Sequence, residues 1–187
     1  SMLYALTAAP SITGGDAGEL LTASWGLGVA HPPGYPLWSM LGFVFAKLLP
    51  LAEVAWRYNW LSGLCNAGAA VILGRLVEKI TREFWAGLFT ASLLCFSPLL
   101  WRYSVVTEVF GLNQLLVAAW LTILWDHLGA PTTRSWALLC LFAGLGVSHH
   151  HTSAMVTAPL LLILLWRERS HVRSRLPQAL LWGFVGL

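Results

Sequence analysis

Ser135 to Trp166 runs 32 residues without Asp, Glu, Lys or Arg, and the polar block Ser148-His149-His150-His151-Thr152-Ser153 interrupts it at the middle. As one helix this run would measure ~48 Å at ~1.5 Å per residue, too long for an ordinary span of a ~30 Å hydrocarbon core and short for two full ones. The block predicts a hairpin of two short helices with the histidines at its turn. Charge on the flanks decides between the two readings. The cluster Arg167, Arg169, Arg173 and Arg175 follows directly, and a single long helix would place it on the side otherwise poor in basic residues.

Working outward, other uncharged runs predict further helices. Tyr58 to Gly74, Phe84 to Trp101 and Val109 to Trp125 each approach the ~17–25 residues of a span, and a last span begins near Leu176. Leu37 to Leu49 would cover only ~20 Å and lies between Pro36 and Pro50, which predicts a re-entrant or surface-lying helix. Residues 2 to 9 are apolar but too short to span. They read as the tail of a truncated helix or as an extension, with no basic start of a cleavable signal. Ser1 before Met2, and an apolar run still open at Leu187, predict a piece of a longer protein.

Composition agrees with a membrane setting. The chain is 57% hydrophobic and 10% charged, with mean hydropathy +0.69, whereas a soluble domain carries about 25% charged residues. Eleven Trp suit a water–lipid interface. The net charge of +3 does not indicate nucleic acid, because the basic residues sit in short gaps between apolar runs. Arg75, Lys79, Arg82, Arg134 and the 167–175 cluster fall on one side and Lys47, Arg57 and Arg102 on the other, the imbalance expected of cytosolic against outer loops. Cys65, Cys95 and Cys140 lie inside apolar runs without metal-ligand spacing and read as packing residues. The expected fold is all-α: a polytopic transmembrane helical bundle forming one module over 1–187. In it, 10–56 make an outer loop with re-entrant or surface helices and 57–187 about six spanning helices.

On this layout Asp16, Glu19, Arg57, Arg102, Glu108 and the His149–His151 block share the outer face, which is the lumen of the endoplasmic reticulum or the periplasm. Ionisable groups gathered on one face of an apolar bundle mark a site. Asp16 and Glu19 also fit a capping box, with Asp16 as N-cap and Glu19 three residues on, and a capped carboxylate is still a positioned one. Arg57 and Arg102 either snorkel at helix ends or bind phosphate, for which a five-donor guanidinium is suited. Glu108 fits a helix N-terminus, and Asn113, about a turn on, fits an interhelical hydrogen bond. Three adjacent histidines point in different directions, so a metal site is not expected there and one His facing a cavity is. His31-Pro32-Pro33-Gly34-Tyr35-Pro36 cannot be regular helix and predicts a stiff connector that sets where the next helix begins.

Gly14-Gly15-Asp16-Ala17-Gly18-Glu19-Leu20, followed by Gly28-Val29-Ala30-His31-Pro32-Pro33-Gly34-Tyr35-Pro36-Leu37, resembles the protein O-mannosyltransferases of the transmembrane protein 260 type. Arg57-Tyr58-Asn59-Trp60-Leu61-Ser62-Gly63, Phe96-Ser97-Pro98, Trp101, Ser104, Glu108-Val109-Phe110-Gly111-Leu112-Asn113 and His151-Thr152 follow in family order. The run of three histidines departs from the related pattern, in which only the last precedes Thr.

The resemblance implies a GT-C glycosyltransferase fold with a luminal active site. The implied reaction passes a sugar, mannose by resemblance, from a polyprenyl- or dolichyl-phosphate donor to Ser or Thr hydroxyls of proteins. It implies Asp16 as the base and Glu19 as second choice, and His31, Tyr35, Arg57, Asn59, Arg102, Glu108, Asn113 and His151 as substrate-binding positions. The lipid-linked sugar is donor substrate; no cofactor and no metal are expected, as no Asp-x-Asp pair is present. A membrane transporter would explain the same polar residues but predicts an inverted repeat, and these residues show none. A non-catalytic scaffold leaves the outer carboxylates and arginines without a purpose.

Overall fold

The computed structural model describes residues 2–169 and 172–187, with backbone alone at 172–174, so the Arg173 side chain of the expected basic cluster lies outside the described residues. The described residues form helices and no strand. They divide into two compact units, the first reaching Leu115 and the second Leu116–Leu187.

The first unit holds α1 (Met2–Thr7), α2 (Ala17–Trp25), α3 (Pro36–Leu48), α4 (Val54–Thr81), α5 (Phe84–Cys95), α6 (Pro98–Ser104) and the start of α7 (Phe110–Gly129). Its organising element is α4, against which α1, α3, α5 and α6 pack. Small residues let them come close. A Cβ at Gly87 of α5 would lie 2.6 Å from the Gly74 carbonyl oxygen of α4, so the two backbones approach as only glycine permits. Gly42 of α3 does the same where α2 and α4 converge: a Cβ there would sit 2.5 Å from Ser24 Oγ and from Tyr58 Cε1. Ser24 Oγ donates to the Ser39 carbonyl at 2.8 Å, tying α2 to α3.

Among the described residues one helix, Val54–Thr81, is long and apolar enough to cross a membrane. The expected single span from Phe84 to Trp101 is instead two helices, α5 and α6, bent by 62°. Pro98 is the physical reason. It disfavours helical backbone at Ser97, which is extended (φ −62°, ψ 131°) and caps α6 by accepting from the Leu100 N–H at 3.4 Å.

The second unit comprises the rest of α7 with α8 (Thr133–His149), α9 (Thr152–Arg167) and α10 (Val172–Val185). The long uncharged run is thus two helices of 17 and 16 residues that break at His150 and His151. Its core gathers Trp120, Leu124, Trp136, Leu139, Cys140 and Leu164. Trp120 satisfies its indole N–H on the Leu139 carbonyl at 2.9 Å. At one end of these helices the fully buried His127 lies 2.7 Å from Ser135 Oγ and 3.0 Å from Glu168 Oε1, and Glu168 pairs in turn with Arg175.

Candidate functional site: a carboxylate cluster around His31

The connector of residues 31–36 turns sharply. Gly34 (φ 97°) and Tyr35 (φ 46°) are left-handed, an uncommon conformation for Tyr, and Pro36 then opens α3. This path folds the Tyr35 ring back against the His31 imidazole, centroids 5.2 Å apart and edge to face, with the phenol oxygen 3.2 Å from His31 Nε2. Tyr35 is buried at 5% exposure. Burial raises its pKa, and the charges of Asp16, Glu108 and Glu19 raise it further, so the phenol stays protonated among three carboxylates.

Glu19 holds the other side of the imidazole. Its Oε1 accepts the His31 backbone N–H at 2.5 Å and its Oε2 lies 3.2 Å from Nδ1. The capping box expected of Asp16 and Glu19 is absent: Asp16 is the N-cap residue of α2 with helical backbone (φ −80°, ψ −4°) and no side-chain cap. The reason is competition, because His31 offers Glu19 two donors at once. Asp16 turns its carboxylate toward the far ring nitrogen, Oδ2 lying 3.9 Å from His31 Nε2 with 60% of the side chain exposed.

Glu108 completes the cluster from the segment between α6 and α7. Burial raises its pKa, the Asp16 charge adds to that, and His31 and a hydrogen bond from the Val109 backbone oppose it. A polar face of α4 fixes this segment. Asn59 donates to the carbonyls of Ala9 (2.8 Å) and Ser11 (3.4 Å) and accepts from Thr107 Oγ1 (2.6 Å). Ser62 Oγ accepts the Glu108 N–H at 3.1 Å, and Asn66 Nδ2 donates to the Tyr103 carbonyl at 3.3 Å. Sequence reasoning passed over Ser62, Asn66 and Thr107. Their signal was the spacing of Asn59, Ser62 and Asn66, three and four residues apart on an apolar helix and therefore on one face.

The structure brings Asp16, Glu19, His31, Tyr35 and Glu108 together and makes Asn59 their support. The other expected positions have surroundings of their own. Arg57 donates to the carbonyls of Leu51 (2.8 Å), Ala46 (3.0 Å) and Ala52 (2.9 Å), clamping the connection from α3 to α4. Arg102 is exposed near the end of α6, its guanidinium 6.0 Å from the Tyr103 ring. Asn113 is half-buried in the first turn of α7. His151 belongs to the second unit, exposed at the start of α9 and stacked 5.0 Å from His150. His150 accepts at Nδ1 from Thr152, and burial together with His151 lowers its pKa. Among the described residues no three His, Cys, Asp or Glu side chains are gathered as a metal set.

Residues 16–174 match the family model described as the protein O-mannosyl-transferase TMEM260 N-terminal domain. Protein O-mannosyl-transferase TMEM260 of Mus musculus is 36% identical over 99% of the chain and 27% of its own length. Protein O-mannosyl-transferase tmem260 of Dictyostelium discoideum is 39% identical over 63% of the chain and 15% of its own length. The chain thus spans about a quarter or less of these relatives. No solved structure matches it.

Proposed function

The chain belongs to the protein O-mannosyl-transferase TMEM260 N-terminal domain family, and from that membership we propose that it supplies the acceptor-activating site of a membrane glycosyltransferase. The proposed enzyme is a multi-pass GT-C bundle of the endoplasmic reticulum, or of the inner membrane in a bacterium. Its site faces the lumen or periplasm. It moves mannose from a polyprenyl or dolichyl phosphate to Ser or Thr hydroxyls of proteins.

The observation that carries this is the accessible Asp16 carboxylate at the edge of a cluster whose other members are held in place. Asp16 takes the proton of the acceptor hydroxyl as its oxygen attacks the anomeric carbon, and the C–O bond to the lipid phosphate breaks with its electron pair leaving on phosphate. A positioned base of this kind is worth ~10²–10⁴-fold in rate. The phosphate leaving group needs charge neutralisation more than a proton. Arg102, exposed near the site segment, is the better phosphate ligand, because Arg57 spends three N–H groups on backbone carbonyls. Glu108, whose charge burial disfavours, interacts electrostatically with Asp16. The second unit holds, by itself, an apolar groove of about 800 Å³ between α8, α9 and α10.

The test is direct. Full-length protein in membranes receives polyprenyl-phosphate mannose labelled in the sugar, together with Ser/Thr-containing acceptor domains. Label moving covalently to the acceptor is expected. Intact donor in every condition, with labelled solute crossing the bilayer, would make the protein a transporter.

A further inference from the structure

We propose that His31, oriented by Glu19, is a proton relay behind Asp16: its Nε2 takes from Asp16 the proton that came from the acceptor hydroxyl and so regenerates the base. This deepens the glycosyltransferase assignment above and rests on it.

The arrangement starts from the two ends of one imidazole. Glu19 accepts the His31 backbone N–H at 2.5 Å and lies 3.2 Å from Nδ1, so the backbone and the ring are held by the same carboxylate. An ionised carboxylate only accepts, so this contact places the ring proton on Nδ1 and leaves Nε2 with its lone pair. Nε2 faces the Tyr35 phenol at 3.2 Å and Asp16 Oδ2 at 3.9 Å. The second distance lies outside hydrogen-bond range, and sites of this kind often tighten when substrate is bound.

The step balances without another reactant. The acceptor O–H breaks, its oxygen bonds to the anomeric carbon, and the proton rests on Asp16. Transfer from the Asp16 carboxyl to His31 Nε2 gives an imidazolium and restores the Asp16 carboxylate. The imidazolium lies between Glu19 and Asp16, and Glu108 adds negative charge from the segment between α6 and α7. Tyr35, donor to the neutral ring, becomes an acceptor from the new Nε2–H. Solvent removes the proton from the ring, which is about one-third exposed. Glu19 acts through His31 and is a positioning residue.

The relay has a kinetic signature. The relay needs both the Asp16 carboxylate and a free lone pair on His31 Nε2, so kcat falls on the acid side. Glu19→Gln keeps an oxygen for the backbone N–H but removes the charge that stabilises imidazolium, so the acid limb moves to lower pH. His31→Gln removes the part of the limb that depends on His31 and lowers kcat by about tenfold or more, with KM for donor little changed.

The experiment measures kcat and KM against pH for full-length wild type, Glu19→Gln, His31→Gln and Asp16→Asn in membranes, with polyprenyl-phosphate mannose as donor. Glu19→Gln with an acid limb shifted downward, and His31→Gln with the His31-dependent part of the limb lost, is the expected result. Both variants retaining the wild-type profile overturns the relay, as does a loss confined to KM. Full transfer by Asp16→Asn is a different failure: it removes the base assignment itself. If His31→Gln does not accumulate, the Glu19→Gln limb decides alone, upheld by a downward shift and refuted by no shift.

Discussion

Glu19 stands in the first turn of α2, where an acid gains from the helix dipole, yet both its oxygens go to a residue twelve positions downstream. The spacing of Asp16 and Glu19 advertised a local capping box. The alternative depended on where His31 would arrive, and that follows from a connector left-handed at Gly34 and Tyr35; the Pro-Pro-Gly pattern marks a stiff turn, but not the positive φ of Tyr35. Glu108 poses the converse case. Its acid was legible as a helix-start residue, whereas its burial beside Asp16 came only from the fold. Burial first, and then the Asp16 charge, raise the Glu108 pKa, so between the ordinary carboxylate range and the raised value the folded chain holds a proton that the unfolded chain has released. Stability therefore falls as pH rises through that interval. Glu108→Gln should remove this part of the slope. Thermal midpoints of detergent-solubilised protein from about pH 4 to about pH 7 check it: the variant should gain on wild type as pH rises, and parallel curves would contradict the assignment.

Helices show the same division between local and long-range information. The break at Ser97-Pro98 could be read from proline chemistry, yet an uncharged run of adequate length read as one span, because charge counting ignores a missing N–H. The break at His150 and His151 was legible, because polar residues interrupt a run too long for one helix. Packing between helices was not, since a glycine reveals its partner only in space. The α4–α5 contact illustrates this. Gly87→Ala would drive a methyl to within 2.6 Å of the Gly74 carbonyl, and the helices must part. Overpacking of this kind costs about 1–3 kcal/mol. Chemical denaturation of the variant should show a lower midpoint, and an unchanged midpoint would mean that α4 and α5 are not in this contact.

For the molecule as a whole, composition and motif order point to an all-helical O-mannosyltransferase; the described residues are helical without strands, and the family is named for protein O-mannosyl transfer. The two units carry different chemistry. The first presents carboxylates, an imidazole and a phenol around one connector, and the second an apolar groove and a buried His127–Glu168–Arg175 network. The proposed base is Asp16, and the measurement closest to that claim is the rate of mannose transfer by full-length Asp16→Asn and Asp16→Glu in membranes, with donor retention followed in parallel. Asp16→Asn should lose transfer by ~10²-fold or more while still retaining donor, and Asp16→Glu should recover part of it. Wild-type rates in Asp16→Asn would contradict the assignment of Asp16 as the base.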